Sequence, residues 1–221
     1  MVKKKNIMKT LDDLAKFHNT DKSIKYHNYI PVYQFWINNK MVKSLLEIGF
    51  GNGSSMKMWQ EYFDLFPDWY PRTKLYCLEY SEGTEHSEKW KNPNLQIEGV
   101  NIIEGDSTKA FTWDIIPNDL DIIIDDGSHY PEDQITSFLL GFKKLASKGL
   151  WFIEDTHCGF TEKFGSTKLL YNWLSDLQVK QQLPNMSAPG DFYASRDILE
   201  GISKDIYAIH SYKSMIVIEK G

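Results

Sequence analysis

Apolar residues recur at helical spacing over Met8, Leu11, Leu14 and Ala15. They do so again from Tyr29 to Ile37, where Pro31 suits the first turn of a helix. The polar stretch Asn19-Thr20-Asp21-Lys22-Ser23 separates the two, with no strand-like pattern between them. Residues 1–42 therefore read as a helical cap on the rest of the chain. From Ser44 the pattern alternates between strand and helix. Ser44 to Ile48 reads as a strand running into Gly49-Phe50-Gly51-Asn52-Gly53. Ser54 and Ser55 are expected N-caps for a helix carrying Met56, Trp59, Phe63 and Phe66. Lys74 to Tyr80 is the second expected strand, with Glu79 at its end, and Ile102-Ile103 belongs to a third that stops at Gly105-Asp106-Ser107. Leu120 to Ile124 is a fourth, ending in Asp125-Asp126. Pro131, Glu132 and Asp133 open a helix whose apolar face holds Ile135, Phe138, Leu139, Phe142 and Leu145. After Gly149 comes the strand Leu150 to Ile153, ending in Glu154-Asp155. A helix over Ser166 to Val179 and two closing strands, Ile206 to His210 and Met215 to Glu219, complete the pattern.

This alternation predicts an α/β fold, a parallel sheet with helices on both faces. Ligands of such sheets bind at the carboxyl ends of the strands. Glu79, Asp106, Asp125, Asp126, Glu154 and Asp155 all fall at or just after those ends, which surface solubility alone does not explain. The expected organisation is a single domain over residues 1–221, with the cap at 1–42 and a cofactor-binding core at 43–221.

Composition narrows the class without naming it. A chain of 221 residues with 42% hydrophobic and 25% charged residues suits a globular domain rather than a disordered or membrane protein. Met1 to Thr10 is basic and lacks the apolar core of a secretory signal. Cys77 and Cys158 cannot form a disulfide framework, so a cytoplasmic location is expected. A net charge of −5 argues against nucleic acid as partner. No run approaches the roughly 20 apolar residues of a membrane span.

The chemistry concentrates in two stretches. Gly49-x-Gly51-x-Gly53 after a strand lets backbone approach a nucleotide-like ligand, yet it lacks the spacing of dinucleotide enzymes and the lysine of a phosphate loop. Glu79 can accept hydrogen bonds from ribose hydroxyls and Asp106 can reach an adenine edge. An acidic pocket suits a cationic sulfonium, so S-adenosylmethionine is favoured over NAD. Cofactor contacts are expected from Glu47, Gly49, Gly51, Gly53, Glu79, Asp106, Ser107 and Asp125. The second stretch is Asp125-Asp126-Gly127-Ser128-His129, joined by Glu154-Asp155 at the next strand end. Paired carboxylates at buried strand ends repel unless a cation relieves them. Oxygen ligands favour Mg²⁺, with Mn²⁺ or Ca²⁺ next. His129 stands beside these carboxylates on a strand-end loop and can act as a general base near neutral pH. His157 is read as a loop residue with substrate contact as its functional option, and His27 with Tyr29 as cap residues able to close over the cofactor.

Taken together, Thr20-Asp21-Lys22, His27-x-Tyr29, Leu46-Glu47-Ile48-Gly49, Met58-Trp59, Asp125 to His129 and Ile153-Glu154-Asp155-Thr156-His157 resemble the macrocin and mycinamicin O-methyltransferases. These are metal-dependent sugar methyltransferases of natural-product pathways that overlap families labelled cephalosporin hydroxylase. The resemblance covers residues 14–160. It implies a Rossmann-like seven-stranded methyltransferase sheet of order 3-2-1-4-5-7-6 with the last strand antiparallel. It also implies Mg²⁺ held by Asp126, Glu154 and Asp155, with His129 as base. Two departures stand out: extra length over residues 64–73, and Glu79 where that family more usually has an aspartate. The polar stretch Leu183 to Arg196 is expected to be a loop over the acceptor.

The expected reaction is methylation of a sugar hydroxyl on a small molecule or glycan, with homo-oligomerisation left open. A catechol or phenol acceptor would use the same metal geometry, aromatic walls at the substrate mouth favouring it and polar walls a sugar. An NAD-dependent oxidoreductase and a non-catalytic protein of the same fold are the readings from other classes.

Overall fold

The computed structural model describes residues 9–38, 40–80, 96–182 and 196–221, the side chains of 181–182 and 196–200 excepted. Its elements run α1 (Leu11–Phe17), α2 (Ile30–Ile37), β1 (Ser44–Ile48), α3 (Ser54–Asp64), β2 (Lys74–Glu79), β3 (Val100–Glu104), α4 (Ala110–Ile115), β4 (Leu120–Asp125), α5 (Pro131–Gly141), β5 (Leu145–Ile153), α6 (Leu169–Gln182), α7 (Arg196–Asp205), β6 (Ile206–Tyr212) and β7 (Met215–Lys220). The seven strands form one sheet of order β3-β2-β1-β4-β5-β7-β6. β1 to β5 are parallel, and β7 enters antiparallel between β5 and β6. The sheet order implied by the family resemblance is the one observed.

Alternation along the central strands divides the core in two. Leu45, Ile122, Ile124, Phe152 and Val217 face one side, where they pack with Leu11, Leu14, Tyr33, Met56 and Trp59 of α1, α2 and α3. Leu46, Ile123, Trp151, Ile153 and Ile218 face the other, against Trp113, Phe138 and Trp173 of α4, α5 and α6. Strands buried on both faces read as continuous apolar runs, as these do. Glu47 breaks the rule. It follows Leu45 onto the cap side and is fully buried there.

Local chemistry sets several boundaries. Thr10 and Asp13 form a capping box at the start of α1, and Pro31 and Pro131 sit in the first turns of α2 and α5. Ser54 and Ser55 are not the caps of α3. Gly53 holds that position in a left-handed conformation, the Asn52 side chain accepts from the Ser54 N–H, and the Ser55 hydroxyl turns inward to Glu47. Leu145 leaves the helix expected for it. α5 ends at Gly141 and β5 starts at Leu145, the chain turning between them through a short 3-10 segment; a side chain on Gly141 would strike the buried Trp113 ring. The helix α4, only six residues long, has no counterpart among the expected elements. The expected acceptor loop lies outside the described residues for 183–195, and Arg196 begins α7. None of the described helices is long and apolar enough to cross a membrane.

Candidate active site

The parallel strands deliver their last residues to one end of the sheet, and the ladder continues past them. The Gly49 N–H donates to the Leu78 carbonyl, Gly105 to Glu79, Asp126 to Ile48 and Glu154 to Asp125. These bonds bring the acidic strand ends side by side around a cavity of about 1110 Å³. Its wall takes Asn19, Thr20 and Asp21 from the cap, the turn Gly49 to Asn52, Glu79, Asp106 to Thr108, and Asp126 to Tyr130 with Asp133 and Lys163.

One end is built on the glycine turn. Gly49 has φ +97°, and a Cβ there would lie 2.2 Å from the Asp126 carbonyl oxygen. Only glycine allows the first and fourth strand ends to approach so closely. A Cβ on Gly51 would meet nothing within 4 Å, so this residue leaves room for a ligand. The buried Glu79 carboxylate accepts from the Phe50 N–H, which ties the second strand end to the turn. Asp106 accepts from the backbone and hydroxyl of Thr108 at 2.8 and 2.6 Å. Ser107 accepts from the Ser137 hydroxyl at 2.8 Å. Of the expected cofactor contacts, Gly49, Gly51, Glu79, Asp106 and Ser107 line the cavity. Glu47, Gly53 and Asp125 do not. Glu47 points to the cap side of the sheet, Gly53 packs against the Phe50 ring, and Asp125 is 2% exposed beneath the floor. Burial pushes the Asp125 carboxyl up to about 8.

The other end is assembled from distant parts of the chain. Asp126, His129 and Asp155 offer ligand atoms that all lie within 4.8 Å of one another. His129 and Asp155 both hold left-handed backbone, φ 62° and 51°. Such strain in non-glycine residues persists where surrounding structure enforces it, and it concentrates at functional sites. The His129 Nε2 lies 3.8 Å from Asp155, and its Nδ1 is buried with no hydrogen-bond partner. Asp155 also accepts from the Tyr29 hydroxyl at 2.5 Å, with the His27 Nδ1 at 2.9 Å and the His157 Nδ1 at 3.9 Å. Burial raises the Asp155 carboxyl, but the Tyr29 hydrogen bond and the neighbouring His129, His27 and His157 outweigh it and hold it below the usual range.

Glu154 is turned away from this group. One of its oxygens accepts from the Tyr33 hydroxyl and the other from the Lys22 ammonium at 2.6 Å. The Lys22 side chain is fully buried, and it also donates to Asp126 at 2.5 Å and approaches Glu47 to 3.2 Å. Burial opposes its charge, yet Asp126, Glu154 and Glu47 together keep it protonated well above the usual lysine range. Burial holds Glu154 well above the usual carboxylate range and pushes Glu47 up to about 7, with Lys22 offsetting only part of each rise. Lys22 and Tyr33 are not among the site residues expected from the sequence. The available signal was charge balance, since buried acidic strand ends need a counter-ion; Lys22 itself stands between Asp21 and Ser23 in a polar turn.

Comparison with known proteins agrees with this geometry. A family described as "Methyltransferase domain" matches residues 46–156, just over half the chain, from β1 to the turn after β5. The chain belongs to this methyltransferase family. That assignment removes the oxidoreductase reading. Among curated proteins, mycinamicin VI 2''-O-methyltransferase of Micromonospora griseorubida is 29% identical over 96% of this chain and 52% of its own length. Demethylmacrocin O-methyltransferase of Streptomyces fradiae is 28% identical over 96% and 53%. The chain thus spans about half the length of the curated relatives it matches. Among solved structures, the MycE methyltransferase in complex with Mg, SAH and mycinamycin VI aligns with a TM-score of 0.72 at 26% identity, covering 97% of this chain and 54% of that one.

Proposed function

We propose that this methyltransferase transfers the methyl group of S-adenosylmethionine to a sugar hydroxyl with the help of a divalent cation. The observation that carries the reading is a single cavity with two chemically distinct ends, the glycine turn with Glu79 at one and Asp126 and His129, with Asp155 grouped behind them, at the other. The open face of Gly51 and the acidic side chains of Glu79 and Asp106 fit a cofactor with a ribose, an adenine edge and a sulfonium charge. In this reading Glu79 orients the ribose and Ser107 and Asp106 the base. Glu47, Gly53 and Asp125 support the turn from behind.

Two carboxylates with spare acceptor capacity fit Mg²⁺ or Mn²⁺, hard ions that retain positions for other oxygens. Asp126 and Asp155 would hold the ion, which when bound would lower the pKa of a hydroxyl beside it. Glu154, which ends the same strand as Asp155, meets Lys22 and Tyr33 through its two oxygens and retains a free lone pair on each for the ion. His129 then takes the acceptor proton. Its Nε2 is the nitrogen on the Asp155 side at 3.8 Å, and the left-handed backbone holds the ring at the cavity wall. Methyl transfer needs no covalent enzyme intermediate, so orientation of the two substrates supplies much of the rate.

The wall near His129 supports a sugar rather than a catechol. Ser128, Asp133 and Lys163 line it with Tyr130, and the buried Phe164 ring packs against His129 and Tyr130 from outside the lining. A further curated relative, 25% identical over 96% of this chain, is named 8-demethyl-8-(2-methoxy-alpha-L-rhamnosyl)-tetracenomycin-C 3'-O-methyltransferase, and its rhamnosyl acceptor supports the same acceptor class. The test is product formation with S-adenosylmethionine and Mg²⁺ over a panel of deoxysugar glycosides and catechols. Methylated glycosides are the expected product, and turnover confined to catechols would overturn the sugar assignment.

A further inference from the structure

We propose that Lys163 determines acceptor specificity, selecting sugars that carry an anionic group, a carboxylate or a phosphate, near the hydroxyl to be methylated. This rests on the sugar O-methyltransferase reading and names the acceptor class within it. Asp21, Glu79, Asp106, Asp126 and Asp133 give the cavity its acidic side chains, and Lys163 is the one lysine or arginine of the described lining. Among the described residues its ammonium makes no ion pair and lies 4.8 Å from the centroid of the Phe164 ring. Asp133, on the same wall, accepts from the Ser128 hydroxyl at 2.6 Å instead. No step of the proposed reaction uses the Lys163 charge.

The segment that carries Lys163 is held in place by its own backbone. It is a single 3-10 turn, Glu162–Phe164, followed by Gly165 in left-handed conformation at φ +95°. The Phe164 and Ser166 N–H groups both donate to the Thr161 carbonyl, at 3.1 and 2.9 Å, and Thr167 N–H donates to Gly159 at 2.7 Å. The buried Phe164 ring anchors the turn, 5.0 Å from the Tyr130 ring and 6.2 Å from the His129 ring. One phenyl ring therefore separates the ammonium from the proposed base, a gap that a hexose and one substituent can bridge. An ammonium over an aromatic face keeps its full charge, and a neutral sugar offers that charge no partner. Because Lys163 is exposed at the rim, its effect on affinity is a few-fold rather than orders of magnitude.

The experiment measures kcat/KM for methyl glucoside, methyl glucuronide and methyl glucoside 6-phosphate with the wild type, Lys163→Met and Lys163→Glu. S-adenosylmethionine and Mg²⁺ are held constant, since a divalent ion also attracts anions. The wild type should prefer an anionic glycoside to the neutral one by about three- to fivefold, through KM. That ratio should fall to near one in Lys163→Met and below one in Lys163→Glu, and added salt should erode it in the wild type. Preference for the glucuronide alone identifies a carboxylate, and for the 6-phosphate alone a phosphate. No anionic preference in the wild type, or one that survives in Lys163→Glu, would overturn the proposal. So would weakened S-adenosylhomocysteine binding in Lys163→Met, which would assign the ammonium to the amino-acid end of the cofactor. If none of the three is methylated, the sugar reading fails by itself, and calorimetric binding of the same compounds decides the charge. Tighter binding of an anionic glycoside to the wild type than to Lys163→Glu supports the proposal, and equal or absent binding overturns it.

Discussion

At the glycine-turn end of the cavity, acidic side chains are met by backbone N–H groups and hydroxyls: Glu79 by Phe50, Asp106 by Thr108. At the histidine end they are met by a buried ammonium, two phenols and three imidazoles. The first end comes from short contiguous stretches around strand ends. The second joins residues separated by 104 to 132 positions. The difference bears on function. Backbone donors at strand ends are fixed by the fold, so a cofactor can find them already in place. Side-chain charges that neutralise one another can be re-partitioned when a cation or an acceptor arrives.

Substitutions should therefore act on different quantities at the two ends. His129→Ala should lower turnover by about 10²- to 10⁴-fold while leaving cofactor affinity unchanged, as measured by single-turnover kinetics and calorimetry. A matching loss of cofactor affinity would remove His129 from the role of base. Asp155→Asn should abolish most activity and flatten its dependence on Mg²⁺, since it removes a proposed ion ligand and the negative charge shared by His129, His27 and His157; a metal titration of activity checks this. Gly49→Ala should cost roughly 2–4 kcal/mol of stability in denaturant melts, because a Cβ lies 2.2 Å from the Asp126 carbonyl oxygen on left-handed backbone. Glu79→Gln should weaken S-adenosylhomocysteine binding about tenfold, the loss of one charged hydrogen bond, with no change in metal dependence. Gly51→Ala should be the mildest, with about 1 kcal/mol of backbone strain and a modest loss of cofactor affinity, since nothing in the protein opposes its Cβ.

The same contrast explains what could be read from residue order alone. The alternation of apolar runs and the carboxylates closing them anticipated the parallel sheet, because buried strands and their ends are dictated by local pattern. The need for a glycine at 141 could not be read, since the ring it makes room for belongs to Trp113, 28 positions away in sequence. The cavity-lining role of Glu79, Asp106 and His129 was visible in their strand-end positions. Glu47 and Asp125 share that position, but pleat and depth turn them away from the cavity. Glu154 was expected beside Asp126 and Asp155 as an ion ligand. Lys22 and Tyr33 donate to its oxygens, and neither residue betrays that partnership by spacing. The turn that carries Lys22 reads as a polar break until the sheet ends are brought above it.

The most direct test is calorimetric titration of S-adenosylhomocysteine into the protein, with and without Mg²⁺, beside an NAD control. Micromolar binding of the homocysteine product with no NAD signal is expected. Absence of binding under both conditions would contradict the assignment of the cavity to a methyl donor.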